Sequence, residues 1–503
     1  MYYTPNTFFM FQKLKDFLFK NTATKQTVAK NTFWLSVSNF GGRLIKAIII
    51  IYAARILGTN GYGVFSYAIT LAGFLTLFMD PGINGILIRD ASKVDEEERH
   101  TIFGTMFVMK IILLIIGVLI ILFIAPLFTT LPGAKVLIPI VALVLALDTL
   151  REFFFSLIRA MENMQWEAAI FLLTNAGIVI FGFVFLAYAA DAQSFSWGYV
   201  AGDALGTIAA IIALREYFKK IFSRFDRARV MPILKAAWPF AISGALGLLF
   251  TNSDILIISW MRSAADVGIY SAAIRIIQTF YLVPSIIQFA TLPLLARLAK
   301  KDNVRFRSAL ERTLGMVFLA SVPLALGGIV LGTQIMSFVF GAPYAAGGLA
   351  FKILMATLLF DFPASIIINA LFAYDHQKSL IVSSGLGGVV NIGLDILLIP
   401  AFGIAGSAVA TLIAQAVNNT YLWYAMKKVN PFTVMERLKK VIMAGIVMTA
   451  FAVLFMALEM NILLTIGLCT CIYIALLKLF KEPLLDDMLS TVPFFKKTEH
   501  SPI

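Results

Sequence analysis

The chain has 503 residues, 60% of them hydrophobic and only 14% charged, and its mean hydropathy is +0.88. A soluble protein of this length carries far more polar surface over its core, so composition excludes that class and defines a polytopic membrane protein. The net charge of +13 fits the Lys/Arg bias of cytoplasmic loops and not a nucleic-acid footprint.

Residues 1–30 form a polar cytoplasmic segment without the pattern of a secretory signal. Within it "FFMFQKLKDFLFK" (8–20) sets Phe8, Phe11, Leu14 and Leu18 on one helical stripe, with Lys13, Asp16 and Lys20 off it. That is the pattern of a short helix lying on a membrane surface. About fourteen apolar runs follow, each long enough to cross roughly 30 Å of hydrocarbon. Spans one to six fall near 33–57, 62–87, 102–128, 136–160, 166–189 and 196–218, in an N-lobe of 31–225. Spans seven to twelve fall near 236–260, 267–296, 310–340, 348–373, 379–400 and 404–426, in a C-lobe of 226–430. A last pair, near 438–458 and 460–480, occupies 431–482, and a cytoplasmic tail covers 483–503. The expected fold is thus an all-α integral membrane protein.

Lys and Arg alternate between loops. One side holds Arg89, Lys93 and Arg99, then Lys219, Arg224, Arg227 and Arg229, then Lys300, Lys301, Arg305 and Arg307, then Lys427 and Lys428. The other side has little beyond Lys135 and Arg262. The positive side is cytoplasmic, which places both termini there in a cell membrane. The two cysteines, Cys469 and Cys471, share one apolar run at i, i+2 and face different ways, so they form no disulfide with each other. Three unclustered histidines point to no metal site, and no cofactor motif is visible.

The chain contains a weak duplication. "GVFSYA" (63–68) matches "GIYSAA" (268–273), Asp148 falls opposite Asp361, and "RAMENMQ" (159–165) matches "FAYDHQK" (372–378). Spans one to six therefore pair with spans seven to twelve as a parallel repeat, and the final two helices have no counterpart. "MDPGING" (79–85) and "VPSII" (283–287) break spans two and eight at comparable depth, where Pro81 and Pro284 permit kinks.

A cation in the bilayer core costs about 2.5–3.5 kcal/mol on translocon scales, so ionisable residues there face a bundle interior or a cavity. At about 1.5 Å per residue, Arg43 lies roughly 15 Å into span one, with Lys46 on the same face. Arg55 lies near the outer end, where a long side chain snorkels to the surface. Asp148, Arg151 and Glu152 share a face of span four, and Asp148–Arg151 can pair on their own helix. Arg275 and Gln278 share a face of span eight. Lys352 and Asp361 point to opposite faces of span ten, and Asn391 and Asp395 share one in span eleven. Arg43, Lys46, Arg151, Arg275 and Lys352 outnumber Asp148, Glu152 and Asp361, so the expected interior attracts an anion, best a phosphate or pyrophosphate. Asp148 and Asp361 are the candidates for ion coupling, from their matched places in the two repeats.

The stretch "FWLSVSNFGGRLIKAIIIIYAARILGTNGYGVFSYAITLAGFLTLFMDPGINGILIRDASK" (33–93), with its "ARxLGxxxYGxxSYA" and "DxGINxxLIRxxS" patterns, resembles the polysaccharide-biosynthesis flippases of the multidrug/oligosaccharidyl-lipid/polysaccharide exporter superfamily. The resemblance covers nearly the whole chain. It implies flipping, without covalent chemistry, of a polyprenyl-(pyro)phosphate-linked oligosaccharide from the inner to the outer leaflet by alternating access. It further implies that Arg43 and Arg275 line a cationic cavity, that the lipid tail lies along the last two spans, and that a glycan polymerase or glycosyltransferase complex is the partner. Two alternatives stay open: an Na⁺- or H⁺-coupled multidrug antiporter of the same superfamily, and a non-transporting membrane scaffold.

Overall fold

The computed structural model describes residues 24–219 and 224–485, which are helix and connecting turn without a strand. The surface-lying helix expected over 8–20 and most of the tail fall outside the described residues. Long apolar runs in hydrocarbon must satisfy their own backbone polar groups, and an α-helix does so within one segment. Fourteen helices carry the architecture. They are α1 (Thr24–Leu75), α2 (Ile83–Ala91), α3 (Glu96–Phe128), α4 (Pro132–Ala160), α5 (Met164–Tyr188), α6 (Ala192–Ala213), α7 (Arg227–Met261), α8 (Ala264–Phe280), α9 (Leu282–Leu298), α10 (Asn303–Phe340), α11 (Gly348–Ala373), α12 (Gln377–Val429), α13 (Met435–Ala457) and α14 (Ile462–Leu479).

Helices and crossings do not map one to one. Among the described residues eleven helices are long and apolar enough to cross a membrane, twelve if the bent pair of α1 and α2 is one more. Yet α1 has 52 residues and α12 has 53, about 80 Å each, more than twice the hydrocarbon thickness. Both are interrupted by a glycine with non-helical backbone, Gly58 (φ 65°) and Gly403 (φ 58°), a conformation that costs glycine little and other residues more. Each glycine thus divides a helix long enough for more than one crossing, and the fourteen spans read from hydropathy stand against eleven or twelve by helix length and composition among the described residues.

The chain packs as two units, one of the described residues up to Leu57 with Val64–Ala245, the other of Gly58–Gly63 with the described residues from Leu246 on. In the first, span two breaks where "MDPGING" predicts, with a 52° bend between the flanking helices. Asp80 Oδ1 accepts from the Gly82 N–H at 3.0 Å, and Gly82 takes φ 99°. The wholly buried Lys110 of α3 brings Nζ to 3.3 Å from Asp80 Oδ2. Helices α5 and α6 cross through glycines. A Cβ on Gly198 would come within 2.7 Å of Gly182 Cα, and one on Gly202 within 2.4 Å of Ile178 N. Small residues spaced by four let membrane helices touch along their backbones.

In the second unit, α8 and α9 meet at Tyr281, whose backbone stays in the right-handed helical region, and residues Ala264–Gln288 run as one apolar span, so the break expected at Pro284 is no sharp bend like that of span two. The Tyr473 hydroxyl of α14 donates to the Leu319 carbonyl of α10 at 2.9 Å, and Gly445 of α13 lies against Val322 of α10. The terminal pair therefore packs on α10. The turns after α4 and α11 share one geometry: Glu162 and Asp375 take φ 57° and 61°. The next residue's N–H bonds five residues back in each, Asn163 to Ile158 O at 3.1 Å and His376 to Leu371 O at 3.0 Å. Both are Schellman-type stops, as are those after α13 and α14 at Glu459 and Lys481.

Candidate functional site

The first cationic group is set by glycine. A Cβ on Gly42 would fall 2.4 Å from Phe171 Cε1 and 3.0 Å from Asn175 Nδ2, so α1 lies directly on α5 there. Arg43, the next residue, is turned about 100° away from that contact. It is exposed, and no ion pair or hydrogen bond of its side chain occurs among the described residues. Lys46, one turn on, holds Nζ 4.8 Å from the centroid of the Tyr199 ring on α6.

Asp203 follows Tyr199 by one turn of α6 and is buried. Arg151 of α4 donates from Nη1 to Asp203 Oδ1 at 2.5 Å and from Nη2 to Asp148 Oδ1. Its guanidinium lies 5.7 Å from the Phe155 ring centroid, and Lys46 is within electrostatic reach of Asp203. The face of α4 is fixed by ring packing, Phe153 against Phe103 of α3 at 5.6 Å and Phe154 against Phe107 at 6.2 Å. Lys46, Arg151, Asp148 and Asp203 thus form one group of alternating charge drawn from α1, α4 and α6. Toward the end of α4, Arg159 forks onto Glu167 with contacts of 2.5–3.1 Å and comes within 3.6 Å of Glu152.

Reading the spans by their charge patterns does not single out Asp203 or Lys110. Each is nonetheless visible as a single charge in an otherwise apolar run, "VAGDALG" and "VMKIILL". With them included, Arg151 faces two carboxylates and Lys110 faces Asp80, so the surplus of cations expected here is balanced, and Arg43 has no ion-pair partner among the described residues.

In the second unit, Arg275 Nη1 donates to Gln278 Oε1 at 3.1 Å, the pairing its spacing suggests. Lys352 lies along Gly332, where a Cβ would meet its Cγ at 2.6 Å. Asp361 accepts from the Tyr281 hydroxyl at 2.7 Å, which ties α11 to the junction of α8 and α9. Neither Arg275 nor Lys352 has an ion-pair partner among the described residues.

A second cluster joins residues that the sequence leaves apart. Asp254 of α7 accepts from the Tyr270 hydroxyl at 2.6 Å, from Thr411 Oγ1 at 2.9 Å and from Asn391 Nδ2. Asn391 Nδ2 also lies 3.4 Å from Asp395 Oδ2. Both carboxylates are buried, and neither forms an ion pair with Lys, Arg or His among the described residues. Asn391 Oδ1, Asp395 Oδ1, Ser407 Oγ and Ser271 Oγ are buried without a hydrogen-bond partner. Two buried carboxylates bridged by one amide do not both stay ionised without a proton or a cation. The donors are all oxygen, which suits a hard cation. Asn391 and Asp395 are legible as one face of span eleven, whereas nothing in the sequence singles out Asp254.

This fold and these charged spans belong to a transporter architecture. The profile of the polysaccharide biosynthesis protein family matches residues 28–299, more than half of the chain, and the chain belongs to that family. The MatE profile matches residues 239–397, in keeping with the wider multidrug/oligosaccharidyl-lipid/polysaccharide exporter superfamily. A probable flippase, AglR, of Haloferax volcanii is 25% identical over 78% of this chain and 82% of its own length. A probable low-salt glycan biosynthesis flippase, Agl15, of the same organism is 22% identical over 78% and 82%. The solved lipid II flippase MurJ in an inward closed conformation superposes with a TM-score of 0.74 at 20% identity, over 90% of this chain and 99% of that one. An inward-facing multidrug transporter of the MATE family gives 0.60 at 11%, over 83% and 98%. The chain is a multi-pass membrane protein.

Proposed function

We propose that the protein flips a polyprenyl-(pyro)phosphate-linked oligosaccharide from the inner to the outer leaflet by alternating access, for surface glycan assembly. Arg43 carries this reading. It is an exposed arginine at mid-depth in an apolar helix, fixed by Gly42 and without a protein partner among the described residues. A guanidinium fork matches two phosphate oxygens, and the headgroup supplies the counter-charge the helix lacks. Lys46 beside it, with Arg275 and Lys352 in the second unit, are the further substrate contacts. Arg151, held by Asp148 and Asp203, positions α4 and α6. The flippase names of the relatives point the same way. The antiporter alternative is supported by the MatE match and by the fold shared with multidrug transporters of the MATE family.

Coupling belongs, on this account, to Asp254 and Asp395 more than to Asp148 and Asp361. Asp148 already pairs with Arg151 and Asp361 with Tyr281, whereas the Asp254–Asp395 pair has oxygens to spare. Transport of a radiolabelled polyprenyl-pyrophosphoryl saccharide into proteoliposomes should lose its dependence on an imposed H⁺ or Na⁺ gradient in Asp254→Asn and in Asp395→Asn. Asp148→Asn and Asp361→Asn should keep it. Gradient dependence retained in the first pair and lost in the second would move the coupling site.

The Lys/Arg bias further puts both termini on the cytoplasmic side. With Cys469 and Cys471 replaced by Ser, Asp191→Cys and Ala342→Cys should react with an impermeant thiol reagent on intact cells, and Lys300→Cys should not. Labelling of Lys300→Cys from outside would reverse the orientation.

A further inference from the structure

Beyond α14 the described chain doubles back under the second unit. Leu484 is buried against α10, where a Cβ on Gly315 would come within 2.8 Å of its Cδ1. Glu482 Oε1 accepts from the Leu484 N–H at 3.3 Å and stiffens the hook. The hook, the first turns of α13 and the start of α10 border an open cavity of about 610 Å³. Four cations line it, Arg312 from α10 with Arg437, Lys439 and Lys440 from α13, against the two carboxylates of Glu436 and Glu482. Arg437 is committed, since Nη2 lies 3.3 Å from Glu311 Oε2. Lys440 Nζ donates to the Lys481 carbonyl at 3.2 Å, a neutral acceptor, and forms no ion pair among the described residues. Lys439 is exposed and has neither an ion pair nor a hydrogen bond among the described residues.

Three bases in the first two turns also oppose the dipole of α13, whose N-terminus favours negative charge. A local rule broken this way marks a place where another charge completes the structure. The apolar run of α13 starts at Val441 and that of α14 ends at Leu479, so the cavity lies at the level where lipid headgroups sit. Pro483 and Leu484 add an apolar edge to the cationic wall.

We propose that this cavity binds the phosphate group of an anionic membrane lipid, with Lys439 and Lys440 facing the phosphate and Leu484 beside the glycerol. The site is separate from Arg43 and its neighbours, and it serves the docking of the terminal helix pair whatever the protein transports. Basic pockets between membrane helices take lipid headgroups in this way.

The test uses the full chain in nanodiscs and reads thermal unfolding. Replacing part of the phosphatidylcholine with cardiolipin should raise Tm by about 3 °C or more, because a ligand of the folded state stabilises it by mass action. Measured against its own Tm in pure phosphatidylcholine, the exposed double variant Lys439→Glu/Lys440→Glu should lose most of the cardiolipin shift. Lys439→Arg/Lys440→Arg should keep it. An equal cardiolipin shift in the Glu variant would overturn the proposal. A Lys-dependent shift from inorganic phosphate in phosphatidylcholine discs, with none from cardiolipin, would replace the lipid by the free ion.

Discussion

Arg43→Ala should reduce transport by roughly a hundredfold while the protein inserts and folds as before. A charge-assisted, bidentate contact is worth about 1.5–3 kcal/mol, and each ~1.4 kcal/mol is a factor of ten. Desolvation of the bound headgroup places Arg43 at the upper end of that range. Thermal stability should move little, because truncating an exposed side chain away from any ion pair typically changes stability by no more than about 0.5 kcal/mol. Arg43→Lys should recover only part of the rate, since a point charge replaces a planar fork. Transport and unfolding measured on the same purified variants check this. Full activity in Arg43→Ala would remove the substrate contact, and a large stability loss would show that a protein carboxylate holds it.

Arg151 should behave in the opposite way. Arg151→Met leaves Asp203 buried beside an apolar chain, and removing one partner of a buried ion pair costs about 3–5 kcal/mol. Adding Asp203→Asn should restore most of that loss, because the buried charge is then gone as well. A double-mutant cycle in thermal or denaturant unfolding measures the coupling directly. Unchanged stability in Arg151→Met, together with lost transport, would return Arg151 to the substrate contacts that its position in span four suggests.

The contrast between these two arginines shows what the sequence can and cannot disclose. Arg43, Lys46, Arg151, Arg275 and Lys352 are legible from the amino-acid sequence alone, as charges set in apolar runs. Pairs on one helix are legible too, because i, i+3 and i, i+4 spacing is enough for Asp148–Arg151 and Arg275–Gln278. Pairs between helices are not. Arg151 meets Asp203 across 52 residues, and Asp254 meets Asn391 across 137. No periodicity connects such positions. Judging Arg151 by its own helix therefore leaves it more cationic than it is, and the Asp254–Asp395 pair stays invisible as a pair.

The fold is more legible than the site, for a physical reason. Hydrocarbon forces helix on each apolar run, and Gly and Pro mark where helix must bend. "MDPGING" accordingly becomes the bend capped by Asp80, and the paired motifs "RAMENMQ" and "FAYDHQK" become two turns of one geometry. What hydropathy does not foresee is that α1 and α12 run on through Gly58 and Gly403 with only a local break. The separation of crossings there rests on backbone conformation and not on a polar loop.

The most direct test of the account is transport itself. The purified protein, reconstituted into liposomes, should carry a radiolabelled polyprenyl-pyrophosphoryl oligosaccharide to the opposite leaflet, where an added impermeant glycosidase releases the label. Excess polyprenyl pyrophosphate should compete, and lipophilic cations should not. Label that stays protected as in protein-free liposomes, or movement of lipophilic cations in place of the saccharide lipid, would contradict the assignment.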